Sequence, residues 1–103
     1  DQGRLPLVQL STAWEQKFTQ YEVAGENGSS DIALPPEMFG ELTNEVQTKL
    51  NEAAKKGVMA SVATSSRRRR FLQTVLASKG IRNSVLAYEE ISAKTKPYII
   101  GVV

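Results

Sequence analysis

Residues 58–80 read VMASVATSSRRRRFLQTVLASKG, and this stretch predicts a strand that leads directly into a helix. The apolar run Val58–Ala63 has the length of a buried strand. Ser65 or Ser66 is placed to cap the helix, and Gly80 is placed to end it. The apolar face of the helix holds Phe71, Leu72, Val75 and Leu76. A strand followed at once by a helix is typical of an α/β fold.

The sequence before this unit predicts a first strand and a first helix. Leu5–Leu10 is apolar enough for a strand that is buried on both faces. Thr12 and Glu15 have the spacing of a capping box, in which two side chains satisfy the backbone at a helix start. The apolar side chains of the helix recur at the spacing of one helix face, at Trp14, Phe18 and Tyr21. We expect this helix to end near Gly25.

A long second helix is predicted between the first helix and the opening stretch. Glu26–Asp31 is rich in Gly, Ser and Asn, as expected of a loop, and Ile32–Leu34 adds a short edge strand. Pro36 suits the first helical position, and Gly57 suits the position after the last turn. The predicted buried face holds Phe39, Leu42, Val46, Leu50 and Ala53.

Two further strands follow the opening stretch. They are predicted at Val85–Tyr88 and Tyr98–Val103, and Glu89–Pro97 separates them. The order of elements predicts one α/β domain over residues 1–103, a small mixed sheet of about four strands packed with three helices. Right-handed crossovers make the first three strands parallel, and we expect the last strand to return antiparallel.

The composition excludes several kinds of chemistry. The 103 residues contain no Cys, which excludes disulfides, thiolate metal sites and Cys nucleophiles. They contain no His, so the commonest metal ligand and the commonest general base are also missing. No catalytic residue, metal site or cofactor is therefore predicted.

Charge is distributed unevenly along the chain. Residues 1–54 hold 3 basic and 9 acidic side chains, residues 55–103 hold 10 basic and 2 acidic ones, and the halves therefore carry −6 and +8. Two interpretations are open. The halves complement each other, across one fold or between neighbouring copies, or the basic half attracts a nucleic acid or an acidic partner.

The run Arg67–Arg70 is the strongest local departure from helix preferences. It puts four cations at the positive end of the helix dipole, where each exposed charge costs roughly 0.3–1 kcal/mol. Successive side chains point about 100° apart. Arg67 and Arg70 are expected to share a face with Phe71 and Thr74, and the two arginines between them to point elsewhere.

Three interpretations of this run compete. The arginines pair with glutamates of the acidic half, they contact an acidic protein partner, or they bind phosphate or nucleic acid. A helix start exposes backbone N–H groups to an anion, which favours the third interpretation. Thr64–Arg67 contains no Gly for a phosphate loop, and no aromatic side chain is interleaved with the arginines for base stacking.

An ordered set of short motifs resembles a known family. The motifs are Ile32–Glu37 (IALPPE), Val58–Ser66 followed by Arg67–Arg70, Val85–Ile91 (VLAYEEI) and Ile100–Val103 (IGVV). Together they resemble the C-terminal end of the FlhA family, the export-gate proteins of the flagellar type III secretion apparatus. The resemblance extends over roughly Leu5–Val103.

The resemblance implies a role in protein export. It implies that the chain is the C-terminal subdomain of a larger membrane-anchored protein, on the cytoplasmic side of the bacterial inner membrane. The implied function is non-enzymatic: the subdomain helps to form a docking platform for export chaperone–substrate complexes. The implied partners are other subdomains of the same chain, other copies in a homo-oligomeric ring, and other export-apparatus proteins. Neither nucleic acid nor direct membrane contact by this segment is expected.

Two exposed segments are the candidate partner-binding surfaces. Their residues are Arg67, Arg68, Arg69, Arg70, Glu89, Glu90, Lys94 and Lys96. The alternative function is a free-standing α/β module that binds anions or RNA through Arg67–Arg70 at the helix N-terminus.

Overall fold

A computed structural model describes residues 3–25 and 30–103. Three α-helices are present in these residues: α1 (Thr12–Gln20), α2 (Pro36–Lys55) and α3 (Ser66–Ser78). The strands are β1 (Leu5–Gln9), β2 (Glu22–Ala24), β3 (Ser30–Ile32), β4 (Ser61–Thr64), β5 (Val85–Ala87) and β6 (Pro97–Val102). Two 3₁₀ turns, Tyr88–Glu90 and Ala93–Thr95, connect β5 to β6.

Four of these strands form the main sheet, in the order β5-β4-β1-β6. The predicted α/β class, with three helices and a mostly parallel sheet of four strands, is confirmed. The predicted antiparallel direction of the last strand is wrong, because β6 runs parallel to β1, with Leu5 opposite Pro97 and Gln9 opposite Val102. β6 does not pair with β5. The chain instead crosses to the opposite edge of the sheet between residues 88 and 96, and so re-enters it at the end where β1 starts.

The core lies between the helices and one face of this sheet. Val8, Val62 and Val85 are in register across β1, β4 and β5, so their side chains share that face. They belong to one buried cluster with side chains of all three helices, which includes Trp14, Phe18, Leu42, Val46, Leu50, Leu72, Val75 and Leu76. The faces predicted for the three helices therefore provide most of the core.

The second helix follows its prediction closely. It begins at Pro36, and its C-terminal turn is followed by Gly57 at a φ of +79°, a left-handed conformation that glycine adopts without strain. α1 differs more. Ser11 rather than Thr12 caps it, since the Ser11 hydroxyl accepts a hydrogen bond from the Trp14 N–H at 3.3 Å. None of the helices in the described segments is both long and apolar enough to cross a membrane.

The region after α1 forms a small second sheet. α1 ends at Gln20, five residues before the predicted end, because β2 follows it and pairs antiparallel with β3. Of the predicted loop, residues 26–29 lie outside the described residues, while residues 30 and 31 belong to β3. The edge strand predicted at Ile32–Leu34 is thus shifted toward the N-terminus, and it lies outside the main sheet.

Candidate functional site

The first turn of α3 pairs two of its arginines with one carboxylate. Arg67 Nη2 lies 2.7 Å from Glu22 Oε2, and Arg68 Nη1 lies 3.2 Å from the same oxygen. Arg68 Nη2 also donates to Thr19 Oγ1 at 3.0 Å. Because Glu22 belongs to β2 and Thr19 to α1, these contacts join the basic half of the chain to its acidic half.

Arg68 is buried, with only 3% of its surface exposed. The sequence analysis did not predict this burial, because it expected Arg68 to point away from the apolar face. The missed signal is its spacing, because Arg68 precedes Leu72 by four residues and Val75 by seven, so the three share one helix face. A buried guanidinium needs a paired and hydrogen-bonded partner, and Glu22 with Thr19 supplies it.

Glu15 occupies the N-terminus of α3. The Ser65 hydroxyl donates to Glu15 Oε1 at 2.7 Å, and the Ser65 N–H donates to Glu15 Oε2 at 3.3 Å. The Thr64 hydroxyl donates to the same Oε2 at 3.3 Å. The carboxylate therefore offsets the positive end of the helix dipole beside the arginine run. The sequence assigned Glu15 to the cap of its own helix, and a contact across fifty residues leaves no local signal.

The other side of the same turn contacts the 3₁₀ turn that follows β5. Arg69 Nε lies 3.5 Å from Glu90 Oε1, which also accepts a hydrogen bond from the Ala87 N–H at 2.9 Å. The Ser66 hydroxyl donates to Glu89 Oε2 at 2.6 Å, and this bond lowers the pKa of Glu89 below its ordinary value. Two of the predicted segments, the arginine run and the Glu89–Glu90 pair, are thus neighbours in space.

Three of the six basic candidate residues make no ion pair within the described part of the chain. They are Arg70, Lys94 and Lys96, and all three are exposed. Arg70 lies on α3, whereas Lys94 and Lys96 flank the end of the second 3₁₀ turn, just before β6. The described residues also hold no group of three or more acidic side chains that could bind a metal ion.

An apolar groove lies on the sheet face that the helices leave open. It has a volume of about 380 Å³, and its lining residues are Leu7, Tyr88, Ile91, Ala93, Pro97, Tyr98 and Ile99. Partial burial raises the pKa of the Tyr88 phenol, so this side chain is neutral at physiological pH. The groove was not predicted, because it forms only where the crossing connection between β5 and β6 lies over the sheet.

Known proteins resemble this chain in sequence and in fold. The sequence pattern of the FHIPEP family matches residues 1–96. The flagellar biosynthesis protein FlhA of Caulobacter vibrioides is 26% identical over 103 residues, which are 100% of this chain and 15% of that protein. The chain therefore spans a small part of the length of this relative.

Solved structures share the fold at lower identity. A nonameric SctV-C assembly of EPEC matches with a TM-score of 0.79 and 15% identity, over 96% of this chain and 29% of that chain. CdsV of Chlamydia pneumoniae, in its complex with CdsO, matches with a TM-score of 0.70 and 16% identity, over 98% of this chain and 29% of that chain. At these identities the likeness shows the fold alone.

Proposed function

This chain belongs to the FHIPEP family, and from that premise we propose that it is a non-enzymatic subdomain of a type III protein-export gate. The match of the family pattern over residues 1–96 is the observation that carries the proposal. The FlhA relative and the likeness to the SctV-C fold support it. The full-length protein would hold this subdomain on the cytoplasmic side of the bacterial inner membrane.

The finer role in this proposal is to help form the docking platform for export chaperone–substrate complexes. The candidate residues divide between two tasks. Five of them hold the first turn of α3 in place: Arg67, Arg68, Arg69 and Glu90 through ion pairs, and Glu89 through the hydrogen bond from Ser66. Arg70, Lys94 and Lys96 keep their charges directed to solvent and are the proposed points of contact.

The proposed partners are other subdomains, other copies and other export-apparatus proteins. The SctV-C structure is nonameric, and CdsV has been solved with a second protein, CdsO. Both findings concern those proteins, and they support an assembly of the same kind for this chain. Binding of anions or RNA at Arg67–Arg70 is not favoured, because Glu15 already occupies the start of α3 and the first two arginines are paired with Glu22.

Site-specific photocrosslinking in the full-length protein tests the docking role. A photoreactive amino acid replaces Arg70, Lys94 or Lys96 in cells that assemble the export apparatus. The same replacement at Arg82, an exposed loop position, is the control. We expect the three test positions to crosslink to export chaperones or apparatus proteins more strongly than Arg82 does. Equal or weaker crosslinking at all three positions, in cells that still export, would contradict the docking role.

A further inference from the structure

Strand β6 lies at an edge of the main sheet, and β1 is its only partner among the described strands. The last residue after it, Val103, turns its backbone toward β1: its N–H donates to the Gln9 carbonyl at 2.9 Å, and its carbonyl accepts from the Ser11 N–H at 2.8 Å. Because peptide groups alternate in direction along a strand, those of Val102 point to the open side. The edge therefore presents backbone donors and acceptors to which another strand can add.

The strand residues in the middle of this edge are apolar and uncharged. Ile99 is 48% exposed, Ile100 37% and Val102 52%. Natural edge strands are usually protected by charged side chains, by proline, by bulges or by a covering segment. β6 has Pro97 at its start and a bulge in its pairing with β1, but the sequence from Ile99 to Val102 carries no charge. A strand of this kind is suited to β-strand addition.

The charges at the start of β6 indicate which charge a partner strand needs there. Lys94 and Lys96 directly precede β6, and the Arg4 guanidinium lies 4.0 Å above the Tyr98 ring. The lining of the groove contains no carboxylate. The two glutamates of the connection, Glu89 and Glu90, lie at its other end, directly after β5, where they contact Ser66 and Arg69 of α3. The end of the groove where β6 starts is therefore cationic.

We propose that the β6 edge and its groove bind an extended segment of a partner protein. The segment has apolar side chains at alternate positions and acidic side chains at the end that lies beside Lys94 and Lys96. The main chain would pair with β6, and alternate side chains would enter the groove at Ile99. A second copy of β6 matches this edge poorly, because residues 97–103 contain no acidic side chain to meet the cations.

This inference stands on the geometry of β6 and does not depend on the export-gate assignment. Peptide titrations of the ¹⁵N-labelled chain, followed by two-dimensional NMR, test it. The probes are peptides of alternating Thr and Val with two Asp at the end. In one set the Asp residues are at the N-terminus, and in the other they are at the C-terminus. Each peptide has a counterpart in which Lys replaces Asp. We expect an acidic peptide to bind about fivefold or more tightly than its lysine counterpart, since like charges oppose association. The amide shifts should concentrate in β6 and beside Tyr88 and Ile91.

Variants of the chain distinguish binding by strand addition from binding by apolar side-chain contacts alone. Val102→Pro removes the N–H on the open side and leaves the Val103 bonds to β1, so we expect binding to be lost. Ile99→Ser, which leaves the backbone unchanged, should weaken binding severalfold. Lys94→Glu should reduce the preference for Asp over Lys, whereas Arg82→Glu, the same charge change on the loop before β5 at the opposite edge of the sheet, should not.

Four results of the peptide experiments would overturn the proposal. They are equal affinity for Asp and Lys peptides, unchanged binding by folded Val102→Pro and Ile99→Ser variants, shifts centred on the first turn of α3, and absence of binding by every peptide. Self-association of the chain through β6, measured by sedimentation, would assign the edge to a second copy and would also contradict it. Thermal unfolding of each variant shows whether it is folded.

Discussion

The first turn of α3 and the edge of β6 differ in how their side chains are partnered within the chain. The α3 turn carries four successive cations, yet three of them are in ion pairs with glutamates of the same chain, and Glu15 occupies the helix start. The β6 edge carries no charge from Ile99 to Val102, and its backbone and apolar side chains are open to solvent. A conspicuous charge run can thus serve the fold, while an inconspicuous apolar strand stays exposed at the edge of the sheet.

The largest effect should come from Arg68, because it is the buried member of the α3 network. Arg68→Ala removes its contacts with Glu22 and Thr19 and leaves a gap in the buried face of α3. Removing one partner of a buried pair typically costs about 3–5 kcal/mol, and we expect a loss near 3 kcal/mol because Arg67 still pairs with Glu22. Urea unfolding measures this loss in the free energy of unfolding.

Arg70→Ala is the matched control in the same helix turn. Its side chain is exposed and makes no ion pair among the described residues, so the expected change lies within about 0.5 kcal/mol. Equal losses for the two variants would mean that Arg68 does not have the structural role described.

A second, smaller effect should follow from Glu15→Ala. The change removes the acceptor for the Ser65 N–H and for two hydroxyls at the start of α3, and loss of a helix cap costs about 1–2 kcal/mol. Glu52→Ala is the control, since the ion pair that Glu52 forms among the described residues, with Lys49 at 3.8 Å, is exposed and contributes little. The free energy of unfolding of the two variants compares them, and a larger loss for Glu52→Ala would contradict the capping role.

Near-zero stability effects are expected along the β6 edge. Ile99→Ser changes a half-exposed side chain that no described element covers fully, so the free energy of unfolding should fall by no more than about 1 kcal/mol. The same variant should remain soluble to a higher concentration, because it lowers the apolar character of an open edge. Light scattering at rising protein concentration measures this, and a loss of stability as large as that of Arg68→Ala would show that Ile99 is a core residue.

The smallest effect concerns the pKa of Glu89. The hydrogen bond from the Ser66 hydroxyl lowers this pKa below the ordinary value of 4.5. A carboxyl with a lowered folded pKa contributes stability above its unfolded pKa, and that contribution is lost as the pH falls through the folded value. Ser66→Ala should therefore raise the Glu89 pKa toward its ordinary value in an NMR titration. An unchanged pKa would mean that the hydrogen bond is not formed in solution.

The sequence predicted what depends on local spacing and missed what depends on distant contacts. The face of α2 and its end at Gly57 follow from helix periodicity and from the left-handed preference of glycine. The burial of Arg68 also followed from periodicity, but its charge concealed the signal. The direction of β6 was wrong because strand neighbours are set by the whole sheet, and β6 pairs with the first strand of the chain.

The candidate site shows the same division. The pairing of the arginine run with the acidic half was one of three interpretations. Arg67 and Arg68 do pair with Glu22 of that half, whereas Arg69 pairs with Glu90 of the basic half. The sequence did not indicate the groove at Tyr88 and Ile99. Its lining combines Leu7 of β1 with residues of β6 and of the connection before it, and these segments meet only in the folded chain.

Amide hydrogen exchange on the assembled full-length protein in native membranes tests the central comparison most directly. The isolated chain gives the reference rates for Ile99–Val102 at the β6 edge and for Ser66–Arg69 at the start of α3. We predict that assembly slows exchange at Ile99–Val102 and leaves Ser66–Arg69 nearly unchanged. Slower exchange at Ser66–Arg69, with Ile99–Val102 as fast as in the isolated chain, would contradict the account.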